Sequence, residues 1–256
     1  MEARVVDLAI FMGQSNMAGR GTASEAPVVP KGHGYEFRAI SDPSGLYDLV
    51  EPFGADENNP SGICEPGRKT GSLVSSFVIE YYSLTKIPVV GVSASKGGSS
   101  INAWQPGGSY LKDAIDRLDS ASHYLIRHDY QIRKKFMVWC QGETDGDQEM
   151  PPDEYQIKLR KMLDAMLTKG PEMCFLIRIG NQRDLPGQYS GIIQAQTDFC
   201  KNYKKAVLVS TKFAEMSARN LMKDSFHYRQ EAYNLVGSEA GRNTALYILH
   251  QFYKAV

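Results

Sequence analysis

Val5-Val6-Asp7-Leu8-Ala9-Ile10-Phe11-Met12, followed by Gly13-Gln14-Ser15-Asn16-Met17-Ala18-Gly19-Arg20-Gly21, is the stretch that decides how this chain folds. Its first half is a near-continuous apolar run rich in branched residues, the pattern of a strand covered on both faces rather than one. It ends at a glycine and passes into small residues, as a strand does when it turns into a helix. Four further runs of the same kind follow, at 88–95, 135–140, 173–179 and 206–210. Helical spacing separates them: Leu73, Val74, Phe77, Val78 and Tyr81 lie on one face, as do Tyr155, Leu159, Met162, Leu163 and Met166. Further helices are expected through 111–125, 192–203 and 231–253. Strand and helix alternate five times, which predicts a five-stranded parallel sheet between two helical layers, an α/β/α sandwich. Residues 22–69, rich in Gly, Pro, Ser and Asn, break the rhythm. They read as a long loop, either shaping substrate access or lying passively on the surface. With no repeats, low-complexity tracts or linker, residues 1–256 are expected to form one domain.

Composition narrows the partners. A hydrophobic fraction of 42% and a charged fraction of 23% suit an ordinary buried core. The 29 basic and 29 acidic residues cancel, and no basic run stands out, so neither nucleic acid nor an anionic membrane is an expected partner. Cys64, Cys140, Cys174 and Cys200 show no C-x-x-C spacing, which leaves a zinc knuckle or thioredoxin-like motif unsupported. Acids interrupt the N-terminal run Met1-Glu2-Ala3-Arg4-Val5-Val6-Asp7, so it does not read as a signal peptide. No stretch approaches the roughly 18 apolar residues of a membrane helix. As written, the sequence predicts a cytoplasmic protein; one secreted after losing a leader would read the same. The oligomeric state is not legible.

Ligands of open parallel sheets sit beyond the carboxyl ends of the strands, and four blocks fall there or near the last helix. The first, Gly13 to Gly21, puts Ser15 directly after a strand. Backbone N–H groups at a helix start can stabilise an oxyanion there, although such a serine can also be a simple helix cap. It is not a G-x-S-x-G elbow, since Met17 replaces the second glycine. The second block, Ser95-Lys96-Gly97-Gly98-Ser99-Ser100-Ile101-Asn102-Ala103-Trp104, offers a glycine turn that can present an N–H to a ligand or merely reverse the chain. It lacks the phosphate-binding G-x-x-x-x-G-K-[ST] order. The third, Val138-Trp139-Cys140-Gln141-Gly142-Glu143-Thr144-Asp145, carries an amide able to donate to a developing alkoxide without titrating. The acidic stretch Glu143, Asp145, Asp147 and Glu149 lacks the calcium-loop order and reads as a solvated loop. The fourth, Asp224-Ser225-Phe226-His227, suits a histidine base whose Nδ1–H is held by an acid three residues earlier.

Together these blocks resemble the SGNH hydrolases, and within them the carbohydrate esterases of family six and the related sialate O-acetylesterase-like proteins. The residues that carry the resemblance are Gly13 to Gly21, Gly97 to Trp104, Trp139 to Asp145 and Asp224 to His227. It implies a flavodoxin-like sandwich and an acyl-transfer site needing no metal or organic cofactor. Ser15 would be the nucleophile and His227 its base, with Asp224 favoured over Glu143 as the orienting acid. The oxyanion would be met by the N–H of Ser15, an N–H of Gly97 or Gly98, and the amide of Gln141. Gln14, Arg68 and Trp104 are candidate substrate contacts, and Arg20 and Arg68 suit an acidic sugar. The expected substrate is an acetylated carbohydrate, xylan-derived esters first and sialate O-acetyl esters second. The competing readings are a non-catalytic carbohydrate-binding protein of this fold and a nucleotide-binding flavodoxin-like protein.

Overall fold

The computed structural model describes residues 4–254, and side chains as far as residue 250; Met1, Glu2 and Ala3 of the N-terminal run lie outside the described residues. In chain order the strands are β1 (Arg4–Gly13), β2 (Gly34–Arg38), β3 (Asp42–Asp48), β4 (Val89–Ser95), β5 (Tyr130–Cys140), β6 (Met173–Ile177) and β7 (Ala206–Ser210). The helices are α1 (Ser15–Ala18), α2 (Val74–Thr85), α3 (Ser109–Arg127), α4 (Glu143–Asp147), α5 (Pro152–Leu167), α6 (Ser190–Asn202) and α7 (Gln230–Lys254). The strands form one sheet in the order β3-β2-β4-β1-β5-β6-β7, parallel except where β3 runs against β2. Leaving out β2 and β3, the order is second-first-third-fourth-fifth, the flavodoxin-like winding.

The sheet therefore has seven strands, not the expected five, and the difference lies in the segment read as a loop. Residues Gly34–Arg38 add a parallel strand beside β4, and β3 turns back as the outer edge. Neither shows an apolar run. In β2, Glu36 is buried, and its carboxylate accepts Gly54 N at 2.8 Å and Arg38 Nε at 3.0 Å. Pairing of that acid, not hydrophobic periodicity, makes the strand tolerable inside the sheet. In β3, Pro43 and two aspartates suit an edge that must not recruit another strand.

Alternate residues of β1 face two cores. Val6, Leu8, Ile10 and Met12 pack beneath α3, α5 and α6, whereas Ala9 and Phe11 pack beneath α2 and α7. Asp7 interrupts the run, and its buried carboxylate is held by Tyr81 Oη at 2.6 Å and by Arg133 of β5. On the second face α7 lies directly on α2. A Cβ at Gly237 would come within 2.2 Å of Leu73 O, and one at Gly241 equally near Phe77 O. The Gly-x-x-x-Gly spacing thus sets how closely the two backbones approach.

This contact yields a test in which two effects oppose. Alanine at position 241 gains about 1 kcal/mol of helix propensity, but it drives a methyl into a backbone carbonyl, and overpacking costs about 1–3 kcal/mol. Gly241→Ala is expected to lower the urea midpoint; an unchanged or raised midpoint would show that the helices can separate without cost.

Candidate active site

The chain ends β1 at the point where its crossovers diverge, with β4 on one side and β5 on the other. That is the crevice where open α/β sheets bind ligands. Gly13, at φ 141°, brings β1 against β5 so closely that a Cβ there would lie 1.9 Å from Cys140 O. Ser15 follows as the first residue of α1, 6% exposed. Its N–H belongs to the first turn, where no carbonyl of the helix can reach it. Its Oγ has no hydrogen-bond partner among the described residues.

His227 lies on the loop between β7 and α7, closed by a bridge between Met222 and Tyr228 and by Lys223 N donating to His227 O at 3.0 Å. Asp224 Oδ2 meets His227 Nδ1 at 2.9 Å. Asp224 Oδ1 accepts the backbone N–H of His227 at 2.7 Å and of Phe226 at 3.0 Å. Burial works to raise the Asp224 pKa, but these donors outweigh it and leave the carboxyl below its ordinary value. Burial also lowers the His227 pKa, against the pull of Asp224 and with help from Arg20 and Lys223. The ring is thus neutral at pH 7, with Nδ1 held and Nε2 available as a proton acceptor.

Glu143, the alternative acid, is elsewhere employed. Its Oε1 accepts Asn16 Nδ2 at 2.6 Å, and Oε2 is buried with no partner. Burial pushes its pKa up to about 7. Asn16 in turn donates to Phe226 O at 3.0 Å and accepts from Tyr233 Oη at 2.7 Å. One side chain therefore links the residue after Ser15 to the residue before His227.

Several expected contacts do other work. The Gln141 amide is fully buried, and its N–H groups go to Ser99 O at 2.9 Å and to the Asp145 carboxylate, so it has no donor left for an oxyanion. Gln14 is 3% exposed, and its Oε1 accepts Gly142 N at 3.1 Å and Thr144 N at 3.4 Å, tying the first block to the third rather than meeting a sugar. Trp104 is fully buried, donates Nε1 to Ser99 Oγ at 3.0 Å and packs edge-on against Trp139. It is core. Gly97 N donates to Glu65 Oε2 at 2.8 Å, so of the two turn glycines only the exposed Gly98 has an uncommitted N–H among the described residues. Arg68 is exposed, and no ion pair involves it among the described residues. Arg20 pairs with Glu65 at 2.9 Å.

The sequence reading missed Asn16 and Glu65, and it took Glu143, Asp145, Asp147 and Glu149 for a solvated loop, whereas Glu143–Asp147 form α4 with Glu143 and Asp145 buried. Asn16 and Asp145 stand inside the quoted blocks, where their burial carries no sequence signal. Asp145 Oδ1 accepts Ser100 Oγ at 2.6 Å and Ile101 N at 3.1 Å, fastening the second block to the third. Among the described residues no cluster of three or more His, Cys, Asp or Glu side chains is placed to hold a metal ion, and no helix is long and apolar enough to cross a membrane.

A serine at the switch point of an α/β/α sandwich, with a histidine–aspartate pair on the loop before the last helix, is the architecture of an SGNH-type hydrolase. Residues 5–245 match the family described as carbohydrate esterase, sialic acid-specific acetylesterase, and the chain belongs to that family. It is thus a carbohydrate acetylesterase, a carboxylic ester hydrolase. No curated protein matches the sequence. Among solved structures it is similar to a protein of Arabidopsis thaliana, at 17% identity over 96% of this chain and 98% of that one, with a TM-score of 0.70. It is also similar to NanS, at 13% identity over 100% of both chains and a TM-score of 0.66. A carbohydrate acetylesterase from Xanthomonas citri aligns at 15% identity over 94% of this chain and 57% of that one, with a TM-score of 0.56. At such identities these likenesses speak for the fold.

Asp145→Ala would leave Ile101 N and one of the two Gln141 Nε2 hydrogens without an acceptor in the interior, and would take the acceptor of half-buried Ser100 Oγ. Each buried orphan costs about 1–3 kcal/mol, so chemical denaturation should show a loss of several kcal/mol. Lys161→Ala, at an exposed position of α5 with no side-chain hydrogen bond or ion pair among the described residues, should stay within about 0.5 kcal/mol of wild type. Equal losses would mean that the block contacts are not what stabilises the strand ends.

Proposed function

We propose that the protein removes O-acetyl groups from an acidic sugar through an acetyl-enzyme on Ser15. The observation that carries this is the 2.9 Å contact between His227 Nδ1 and Asp224, on a loop that Asn16 fastens beside Ser15. His227 Nε2 takes the Ser15 proton as Oγ attacks the acetyl carbonyl. The alkoxide is met by the N–H groups of Ser15 and Gly98. The imidazolium then gives its proton to the departing sugar oxygen, leaving acetyl on Ser15, and water repeats the sequence to release acetate. Asp224 holds the ring and stabilises its charged form. Ser15 Oγ, unbonded in the free protein, closes on His227 once the ester is seated.

Two observations support an acidic sugar over the xylan-derived esters that the motifs put first. One is the description of the family. The other is the set of basic residues on the histidine loop, the glycine turn and the segment that carries Glu65: Lys223 Nζ donates to Arg20 O, Lys96 Nζ to Gly97 O at 3.1 Å, and exposed Arg68 follows Glu65 by three residues. Glu65 is already paired with Arg20, and Asp224 with His227, which leaves Lys96, Lys223 and Arg68, without ion pairs among the described residues, as the cations available to a sugar carboxylate.

Acetate release from 4-nitrophenyl acetate, O-acetyl sialic acid and acetylated xylo-oligosaccharides, each with wild type and Ser15→Ala, tests the reading. Activity on the sialate that disappears in the mutant is the expected result; a preference for the xylo-oligosaccharide would move the substrate, and an active mutant would remove the mechanism. The acid limb of kcat/KM should have its midpoint below the ordinary histidine value of about 6.5, because His227 is depressed by burial. Asp224→Asn should cost about four orders of magnitude in kcat, the size seen when a triad acid is lost. Glu143→Gln keeps the acceptor for Asn16 and should cost far less near pH 6, where the wild-type carboxyl is largely protonated.

A further inference from the structure

The mechanism leaves one acid of the site without a task. Glu65 belongs to the segment between β3 and α2, and its side chain is 5% exposed. A single oxygen, Oε2, accepts from Arg20 Nη2 at 2.9 Å and from Gly97 N at 2.8 Å, while Oε1 is buried without a partner among the described residues. Three parts of the chain meet on this carboxylate: the segment after α1, the turn after β4, and the segment between β3 and α2. Behind it lies Lys69, buried, with Nζ donating to Gly54 O at 2.9 Å and Ser93 Oγ at 3.0 Å.

We propose that Glu65 is a positioning residue of the active site, neutralising Arg20 beside His227 and pinning Gly97 so that the neighbouring Gly98 N–H is held in place for the oxyanion. The inference rests on the reading of His227 as the base. Asp224 meets the ring from its own loop, and Lys223 of the same loop donates to Arg20 O, which holds the segment after α1 against that loop. Asp224 favours the imidazolium, and the two cations oppose it. The imidazolium forms on the way to the transition state, so an uncompensated Arg20 would raise the barrier. Glu65, paired with Arg20 at 2.9 Å, offsets part of that charge and leaves Nδ1 to Asp224. A neutral acceptor would serve to hold Gly97, but only an anion does both.

The charge and the tether are separable by substitution. Glu65→Gln keeps an oxygen for Arg20 and Gly97 but loses the charge; Glu65→Asp keeps the charge on a shorter arm. 4-Nitrophenyl acetate is the probe, because a small neutral ester does not need Arg20 for binding. For Glu65→Gln the acid limb of kcat/KM should move to lower pH by several tenths of a unit, with kcat down about tenfold and KM little changed. Glu65→Asp should bring the limb back toward wild type. Arg20→Gln should move it the other way, to higher pH. Limbs at the wild-type pH in both Glu65→Gln and Arg20→Gln, with only the melting temperature lowered, would reduce Glu65 to a structural tether and overturn the proposal. Should Glu65→Gln fail to fold, an unmoved limb in Arg20→Gln is enough to overturn it. Ser15→Ala in the same series separates the two readings: activity surviving there brings down the serine mechanism itself, whereas a dead Ser15→Ala with unmoved limbs brings down only the role of Glu65.

Discussion

Asn16 is the joint on which the site is built. Its amide is fully buried, and each of its groups is used: Nδ2 by Glu143 and Phe226, Oδ1 by Tyr233. Those partners come from the start of α4, the histidine loop and α7, which no local rule of chain geometry brings together. A buried amide left unpaired is costly, so the three segments and the residue beside Ser15 are bound to one arrangement. The high pKa of Glu143 follows from the same burial, since it has exchanged water for one amide and little else.

A second ring of contacts keeps the strand ends in register. Parallel strands that stop inside a protein leave N–H groups with no ladder partner, and these must be satisfied. Gln14 accepts those of Gly142 and Thr144, Asp145 accepts that of Ile101, and Gln196 Oε1 accepts that of Ile179 at 3.1 Å. Polar residues that look suited to substrate are thus spent on the backbone. What faces the crevice is a short list, and its chemistry is correspondingly simple.

The parallel strands of the central winding were legible because each is apolar on both faces, and the helices because their buried stripes repeat at 3.6 residues. The hairpin of β2 and β3 was not. Gly-Tyr-Glu-Phe-Arg has no hydrophobic run, and its place in the sheet depends on Glu36 finding Gly54 and Arg38, a pairing made only in three dimensions. In the site, the spacing of Asp224 and His227 is local, and three residues of loop suffice to show it. Gln141 illustrates the opposite case. Its type suits an oxyanion donor, but whether its amide points into the crevice or back at Ser99 and Asp145 is decided by packing across β4 and β5. Glu65 lay in the stretch with no periodicity at all, where nothing in the sequence sets one acid apart from its neighbours.

The contact between Tyr233 and Asn16 spans 217 residues of chain. At ribosomal rates of about 5–20 residues per second, the two ends are made tens of seconds apart. Until α7 emerges, Asn16 has no phenol to accept from, and α2 has only a bare apolar face where α7 will lie. The β1 end can form early, yet the histidine loop has no anchor behind it. A nascent chain therefore carries Asn16 unpartnered by Tyr233 for most of its synthesis, and the joint beside Ser15 closes only when the last helix docks.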